Sequence, residues 1–223
     1  MIDQTYTIIG DVHGHVRPLA AALADAESRG DVIICVGDYV NVGPDTVGTL
    51  ELLVDATACL GERLVLLRGN HDQALLDFLL DASKTAFLRI GGLATIKSYY
   101  PDPPGDVIER FRETFPASHM ALLEATRTHY ESDKLLVSHC GYDPGAPNTR
   151  TPETMVLGSF PTIFEAAVGS RPRRLVVCGH YVQRDGTPFI GSGLICLDTG
   201  VGYRPGAKLA AFRLPSQELL SYA

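Results

Sequence analysis

The sequence predicts an α/β fold, and three observations carry that prediction. Short β-branched runs alternate with helix-like stretches in the order strand, helix, strand, helix, strand over the first third of the chain. The 223 residues suit a single domain of ordinary size spanning 1–223 and carrying an insertion. Apolar residues make up 45% and charged residues 20%, the balance of a chain that buries a core and needs no disulfide scaffold.

Tyr6 to Ile9 reads as the first strand, followed by an Ala- and Leu-rich helix from Pro18 to Ser28. Val32 to Val36 is the second strand. The next helix, Asp45 to Leu60, sets Leu50, Leu53, Val54 and Leu60 near one face. Leu64 to Leu67 is the third strand. From about 73 to 133 the pattern is mostly helical, broken by Gly91-Gly92 and by the Pro-rich stretch Pro101 to Gly105. Strand-like runs return at Leu135 to Val137, Leu175 to Cys178, Leu194 to Leu197 and Leu209 to Phe212, and turn residues crowd Asp143 to Pro152 and Gly169 to Arg174. Read from the residues alone, this is a largely parallel open sheet with a helical insertion over one edge.

The net charge of −7 argues against a broad nucleic-acid surface or an anionic membrane surface, since both are bound through clustered Lys and Arg. No apolar run approaches the ~18 residues of a membrane span. No basic stretch leads into a long apolar one at the amino end, and none of the five cysteines has CxxC spacing. The expectation is a cytoplasmic protein without a signal peptide, with Cys35, Cys178 and Cys196 as reduced core residues. The oligomeric state is left open.

Chemistry gathers where apolar runs end. Five runs close on glycine or polar loops bearing ligand-type residues: Gly10-Asp-Val-His-Gly14, Gly37-Asp38, Gly69-Asn-His-Asp72, His139-Cys-Gly141 and Gly179-His180. Strand ends let segments distant in sequence converge on one site. Asp, His and Asn without a Cys pattern offer mixed oxygen and imidazole donors, suited to Mn, Fe, Zn or Ni. Asp11 and His13, two apart, can reach one ion if the backbone turns there, and Asp38 stands alone as a bridging carboxylate could.

These five motifs, with the second extended to Gly37-Asp-Tyr-Val-Asn-Val-Gly43 and with Leu197-Asp-Thr-Gly200 near the end, resemble the calcineurin-like metallophosphoesterases. Within them the chain is similar to the phosphoprotein phosphatase family of bacterial Ser/Thr phosphatases and diadenosine tetraphosphatases. The likeness is weakest between Asp72 and Lys134. It implies a β-sandwich flanked by helices in place of the open sheet, keeping the mostly helical insertion. It implies two divalent metal ions, manganese first, with iron, zinc or nickel as alternatives. Asp11 and His13 would hold the first ion, Asp38 would bridge, and Asn70, His139 and His180 would hold the second. His71 would protonate or stabilise the leaving oxygen, with Asp72 as a polar support beside it. The implied activity is hydrolysis of a phosphoester or phosphoanhydride in a phosphoprotein or nucleoside polyphosphate, by direct attack of a metal-bridging hydroxide.

Two departures stand out. The family's Asp-Arg-Gly is Asn41-Val42-Gly43 here, so the phosphate-gripping Arg is replaced by Val42 and the His-orienting Asp by Asn41. The second phosphate-gripping Arg aligns best with Ser159. Arg204 and Arg68 are the substrate-binding candidates in their place, with Arg184 a further cation; Arg68 is also placed to make internal contacts. The alternative reading is a weakened relative that binds metal and a phosphorylated ligand with little turnover. His15 could line the mouth of the site or the surface, and Tyr99-Tyr100 could shape a substrate cap or pack in the core. His119 and His129 read as surface residues, Cys140 as a buried small residue, and the Arg171–Arg174 cluster as a solvated loop.

Overall fold

Two five-stranded mixed sheets face each other in the computed structural model, which describes residues 4–81, 85–102, 105–169 and 174–223. Most of the Arg171–Arg174 cluster and part of the Pro101–Gly105 stretch lie outside the described residues. The first sheet contains β1 (Tyr6–Ile9), β2 (Val32–Cys35), β3 (Leu64–Leu66), β9 (Leu209–Leu214) and β10 (Glu218–Tyr222) in the order β10-β9-β1-β2-β3. The second contains β4 (His129–Glu131), β5 (Leu135–Ser138), β6 (Leu175–Cys178), β7 (Phe189–Ile190) and β8 (Leu194–Cys196) in the order β4-β5-β6-β8-β7. The centre of each sheet is parallel, with Ile8 opposite Ile34 in the first and Val177 opposite Ile195 in the second. Antiparallel strands close the other edges: β9 and β10 on the first sheet, β4 and β7 on the second.

The open sheet read from the residues is therefore corrected to a sandwich, as the family resemblance implied. The physical reason is burial on both faces. Ile8, Ile34 and Val65 meet Val137, Val177 and Ile195 between the sheets. The alternate residues Ile9, Ile33, Cys35 and Leu66 pack under helices. A strand covered on both sides reads as a continuous apolar run, the same signature as a strand of an open parallel sheet. The edge strands β4, β7 and β10 were absent from the residue reading, because they are short and partly exposed.

Helices α1 (Val16–Ser28) and α2 (Thr46–Leu60) cover the first sheet. α1 buries Leu19, Ala22, Leu23 and Ala26, the spacing of one helical face. Asp45 caps α2 by accepting the Gly48 N–H at 2.8 Å. The middle of the chain is helical as expected: α3 (Asn70–Leu80), α4 (Ala86–Arg89), α5 (Gly92–Tyr99), α6 (Val107–Thr114) and α7 (Ala117–Glu124). Phe78, Phe87 and Phe111 give that layer a buried aromatic core, joined by Tyr99 and Phe115. His119, read as a surface residue, is buried there, its Nδ1 2.5 Å from the Tyr99 hydroxyl. Short helices α8 (Pro152–Met155) and α9 (Ile163–Gly169) precede β6, with Ile163 packed on the outer face of the second sheet. No helix among the described residues is long and apolar enough to cross a membrane.

Candidate metal centre

The exits of β1, β2, β3, β5 and β6 converge between the sheets. Asp11, His13, Asp38, His71 and His139 are buried there, with Asn70 and His180 partly so. Asp38 is the hub. Its Oδ2 lies 3.4 Å from His139 Nε2, 3.8 Å from His13 Nε2 and 3.9 Å from His71 Nε2. Its other oxygen accepts the His71 backbone N–H at 2.9 Å. Asn70 Oδ1 sits 2.9 Å from both His139 Nε2 and His180 Nδ1. The outer ring nitrogens are anchored, His13 Nδ1 at 3.1 Å from the Val40 carbonyl and His139 Nδ1 at 3.2 Å from that of Val36. Such anchors fix ring orientation around a metal.

The loops are held in unusual shapes to achieve this. Among the described residues, six non-glycine residues have positive φ, and five of them are His13, Asp38, Asn41, Val42 and His180. Each costs about 1–3 kcal/mol, and such strain clusters at functional sites. Two glycines are required by close approach. A Cβ on Gly69 would lie 2.0 Å from Asp38 Oδ1, and one on Gly179 1.9 Å from Asp11 Oδ1. Asp72 ties the loops together, since its carboxylate accepts backbone N–H groups of Asp38, Tyr39 and Gly69 at 2.8–2.9 Å.

The donor set fits divalent cations. Asp11 Oδ2 accepts the His180 backbone N–H at 3.0 Å, while its Oδ1 is buried without a partner. A buried carboxylate oxygen left unpaired is costly, and a cation is the partner such an oxygen suits. Burial, with Asp198 nearby, pushes the Asp11 carboxyl well above the usual carboxylate range. Burial also works against the Asp38 charge, but the surrounding imidazoles outweigh it and hold that carboxyl below the usual range. Burial similarly opposes charge on His139, yet Asp38 raises it to about 10. Burial dominates at His71 and His180, both lowered to about 4. Asp11, Asp38 and His139 form one group whose ligand atoms converge; His13, Asp38 and His71 form another.

The candidate substrate arginines are elsewhere. Arg68 donates to Thr126 Oγ1, Gln73 Oε1 and the carbonyls of Leu123 and Glu124 at 2.8–3.0 Å. Its guanidinium is thus occupied in tying β3 to the end of α7. Arg204 lies over Gly186 and Gly200, lining a cavity of about 420 Å³ with Asp185 and Lys208. Among the described residues no hydrogen bond or ion pair joins Arg204 to the cluster. Ser159 is exposed between α8 and α9. Val42 wedges between two loops: Cβ atoms on Gly91 and Gly202 would sit 3.1 and 3.0 Å from its methyl carbons.

Sequence reasoning missed three residues at the site. The Tyr203 hydroxyl is 3.4 Å from His71 Nε2, and its ring stands edge-on to His13 at 5.2 Å. Asp198 is buried beside Asp11 and accepts the Gly200 N–H. The signal for both was the Leu197–Gly200 motif and the loop after it. Thr95, on α5, bonds the Asn41 side chain, and nothing in the sequence marked it.

The family profile described as calcineurin-like phosphoesterase matches residues 5–184. The chain belongs to that family. Calcineurin-like phosphoesterases similar to it include serine/threonine-protein phosphatase 1 of Salmonella typhimurium, 32% identical over 87 residues, which is 38% of either chain. The asymmetrical bis(5'-nucleosyl)-tetraphosphatase PrpE of Oceanobacillus iheyensis is 25% identical over 244 residues, covering 97% of this chain and 91% of that one. The match thus spans well under half of the Salmonella relative and most of the Oceanobacillus one. A crystal structure provisionally described as a diadenosine tetraphosphatase shares the fold with a TM-score of 0.68 at 22% identity, over 99% of this chain and 93% of that one.

Proposed function

We propose that this calcineurin-like phosphoesterase hydrolyses phosphoesters or phosphoanhydrides with two divalent cations at the Asp38 hub. The observation that carries the proposal is the convergence on Asp38 Oδ2 of three imidazole nitrogens, beside the unpartnered Asp11 Oδ1. Asp11, His13, Asp38, Asn70, His139 and His180 would hold the cations, with manganese the first choice. Bound there, the cations would supply charge neutralisation for phosphoryl oxygens and an activated water.

The chain's own residues supply the rest. His71 turns Nε2 into the site, where it can serve the oxygen leaving phosphorus. Tyr203, half-exposed and beside that nitrogen, offers a hydroxyl to a phosphoryl oxygen. Asp72 works through the backbone by locking the loops that carry Asp38 and Asn70.

Nucleoside polyphosphates suit the rim better than phosphoproteins. A cavity of about 410 Å³ is lined by His15, Val42, Gly43, Lys97, Ser98 and Gly202. Val42, Gly202 and His15 are one or two residues from Asn41, Tyr203 and His13, so this space adjoins the reacting centre. Lys97 would face a polyanionic leaving group there. The near full-length match to a nucleosyl-tetraphosphatase agrees with this reading.

The test is phosphate or nucleotide release by manganese-loaded protein from p-nitrophenyl phosphate, a phosphoserine peptide and a dinucleoside tetraphosphate, with and without chelator. Chelator-sensitive turnover with the highest kcat/KM on the tetraphosphate is expected. Preference for the peptide would overturn the substrate class. Metal binding with no turnover of any substrate would leave the weakened-relative reading instead.

A further inference from the structure

The loop from Thr199 to Lys208 runs between two cavities. Its Gly202 lines the cavity that holds Lys97. The next residue, Tyr203, brings its hydroxyl to 3.4 Å from His71 Nε2. The residue after that, Arg204, lines a second cavity of about 420 Å³. A tight turn makes this divergence: the N–H groups of Tyr203 and Arg204 both donate to the Gly200 carbonyl, at 3.0 and 2.9 Å. Thr199 Oγ1 donates to the Lys208 carbonyl at 2.7 Å and closes the loop at its base. Neighbouring Cα atoms are about 3.8 Å apart, so each cavity begins one residue from the tyrosine that faces the histidines.

The second cavity has the chemistry of a nucleotide site. Its far wall belongs to the loop that leaves His180, where a Cβ on Gly186 would lie 3.7 Å from Arg204 Nε. Lys208 adds a second cation to the lining. Both side chains are exposed, and neither makes a hydrogen bond or ion pair among the described residues. The one acid on the lining is Asp185, whose carboxylate accepts the Thr187 N–H at 3.0 Å and feels Arg204 at longer range. Two cations against one acid leave the cavity net positive. Leu219 of β10, 43% exposed, gives it an apolar surface. Cations for phosphate beside an apolar surface for a base are what a nucleotide requires.

A polyphosphate capped at both ends gives such a cavity a purpose. Its inner phosphorus atoms each carry two bridging oxygens. On hydrolysis the hydroxyl of a water bonds to phosphorus and one bridging P–O bond breaks. The departing oxygen keeps the electron pair and takes the water's other proton. The second bridging oxygen stays on phosphorus and still carries its nucleotide, which needs a place other than the cavity of the leaving group. We propose that the Arg204–Lys208 cavity is the subsite for this retained nucleotide, so that the substrate straddles the Thr199–Lys208 loop with one nucleotide on each side of Tyr203. The subsite rests on the phosphohydrolase reading and on its nucleoside polyphosphate class. Arg204 and Lys208 then serve phosphates beyond the reacting one, which is why they need no contact with the Asp38 hub.

Two substrates with the same number of phosphates separate a subsite from general attraction of anions. Diadenosine tetraphosphate is capped at both ends; adenosine tetraphosphate is capped at one, and nothing is retained when its terminal phosphorus reacts. With manganese-loaded full-length chain, KM should be about tenfold lower for the two-ended substrate, the worth of one or two charge-assisted contacts. The double variant Arg204→Met, Lys208→Met should close that gap by raising KM for diadenosine tetraphosphate. Equal KM values in the wild type, or a variant that raises both KM values alike, would overturn the subsite. Calorimetry with ADP on the same loaded protein reads the subsite without turnover. Two ADP bound per wild-type chain and one per double-variant chain are expected; the same stoichiometry in both proteins overturns the subsite. If neither tetraphosphate is turned over, the phosphohydrolase reading fails, and the ADP stoichiometry alone decides whether the cavity takes a nucleotide.

Discussion

The centre and the rim of the candidate site contrast sharply. At the centre, five loop exits deliver carboxylate, amide and imidazole groups into contacts of 2.9–3.9 Å around Asp38 and Asn70, on a backbone strained at His13, Asp38 and His180. At the rim, Val42 and Ser159 hold no charge, Arg68 is committed to internal carbonyls, and Arg204 lies over Gly200. The centre accepts a steep conformational cost to bring its ligand-type groups together, while among the described residues no hydrogen bond or ion pair carries Arg68 or Arg204 into it. The contrast teaches that convergence of ligand-type groups and placement of candidate cationic grips are separable in this architecture. Under the proposed function, substrate contacts would then fall to Tyr203 and to the cavity by Lys97.

Four variants probe that separation. Asp38→Asn strikes the hub and should reduce phosphate release by about 10³-fold or more, with a parallel loss of manganese binding by calorimetry. Retained metal affinity in that variant would break the contrast at its centre. His71→Gln should keep metal affinity but lower kcat by about 10²-fold on an alkyl phosphate and less on p-nitrophenyl phosphate. Arg68→Met should cost about 1–2 kcal/mol in urea unfolding, since several partly buried acceptors lose a charged donor, with KM unchanged. A raised KM there would return Arg68 to the rim. Arg204→Met is expected to shift KM for p-nitrophenyl phosphate by less than about twofold, in line with an exposed charge that makes no hydrogen bond or ion pair to the hub among the described residues. A large rise would mean that the loop carrying Arg204 closes over the substrate.

The helical middle of the chain shows why part of the site was illegible. Its composition announced helices, and α3 to α7 are there. Nothing in Gly92–Tyr99 distinguishes Thr95 from any other threonine, because its place beside the site comes from hydrogen bonds to Asn41, 54 positions away. His119 misled for the same reason: a histidine in the helical middle became buried once Tyr99 and Phe115 closed around it. Tyr203 sat one position from the arginine that the sequence favoured, and only the turn after Leu197–Gly200 decided which of the two side chains faces the histidines.

Sequence by itself determined the strand–helix order, the ligand-bearing motifs and the family, because short-range periodicity and strand-end glycines are written locally. Tertiary structure alone decided which strands pair in each sheet, where the Arg68 and Arg204 guanidinium groups lie, and which polar groups surround His71. Those outcomes depend on contacts between segments tens to hundreds of residues apart, and a linear pattern cannot encode which buried polar group a distant loop will supply.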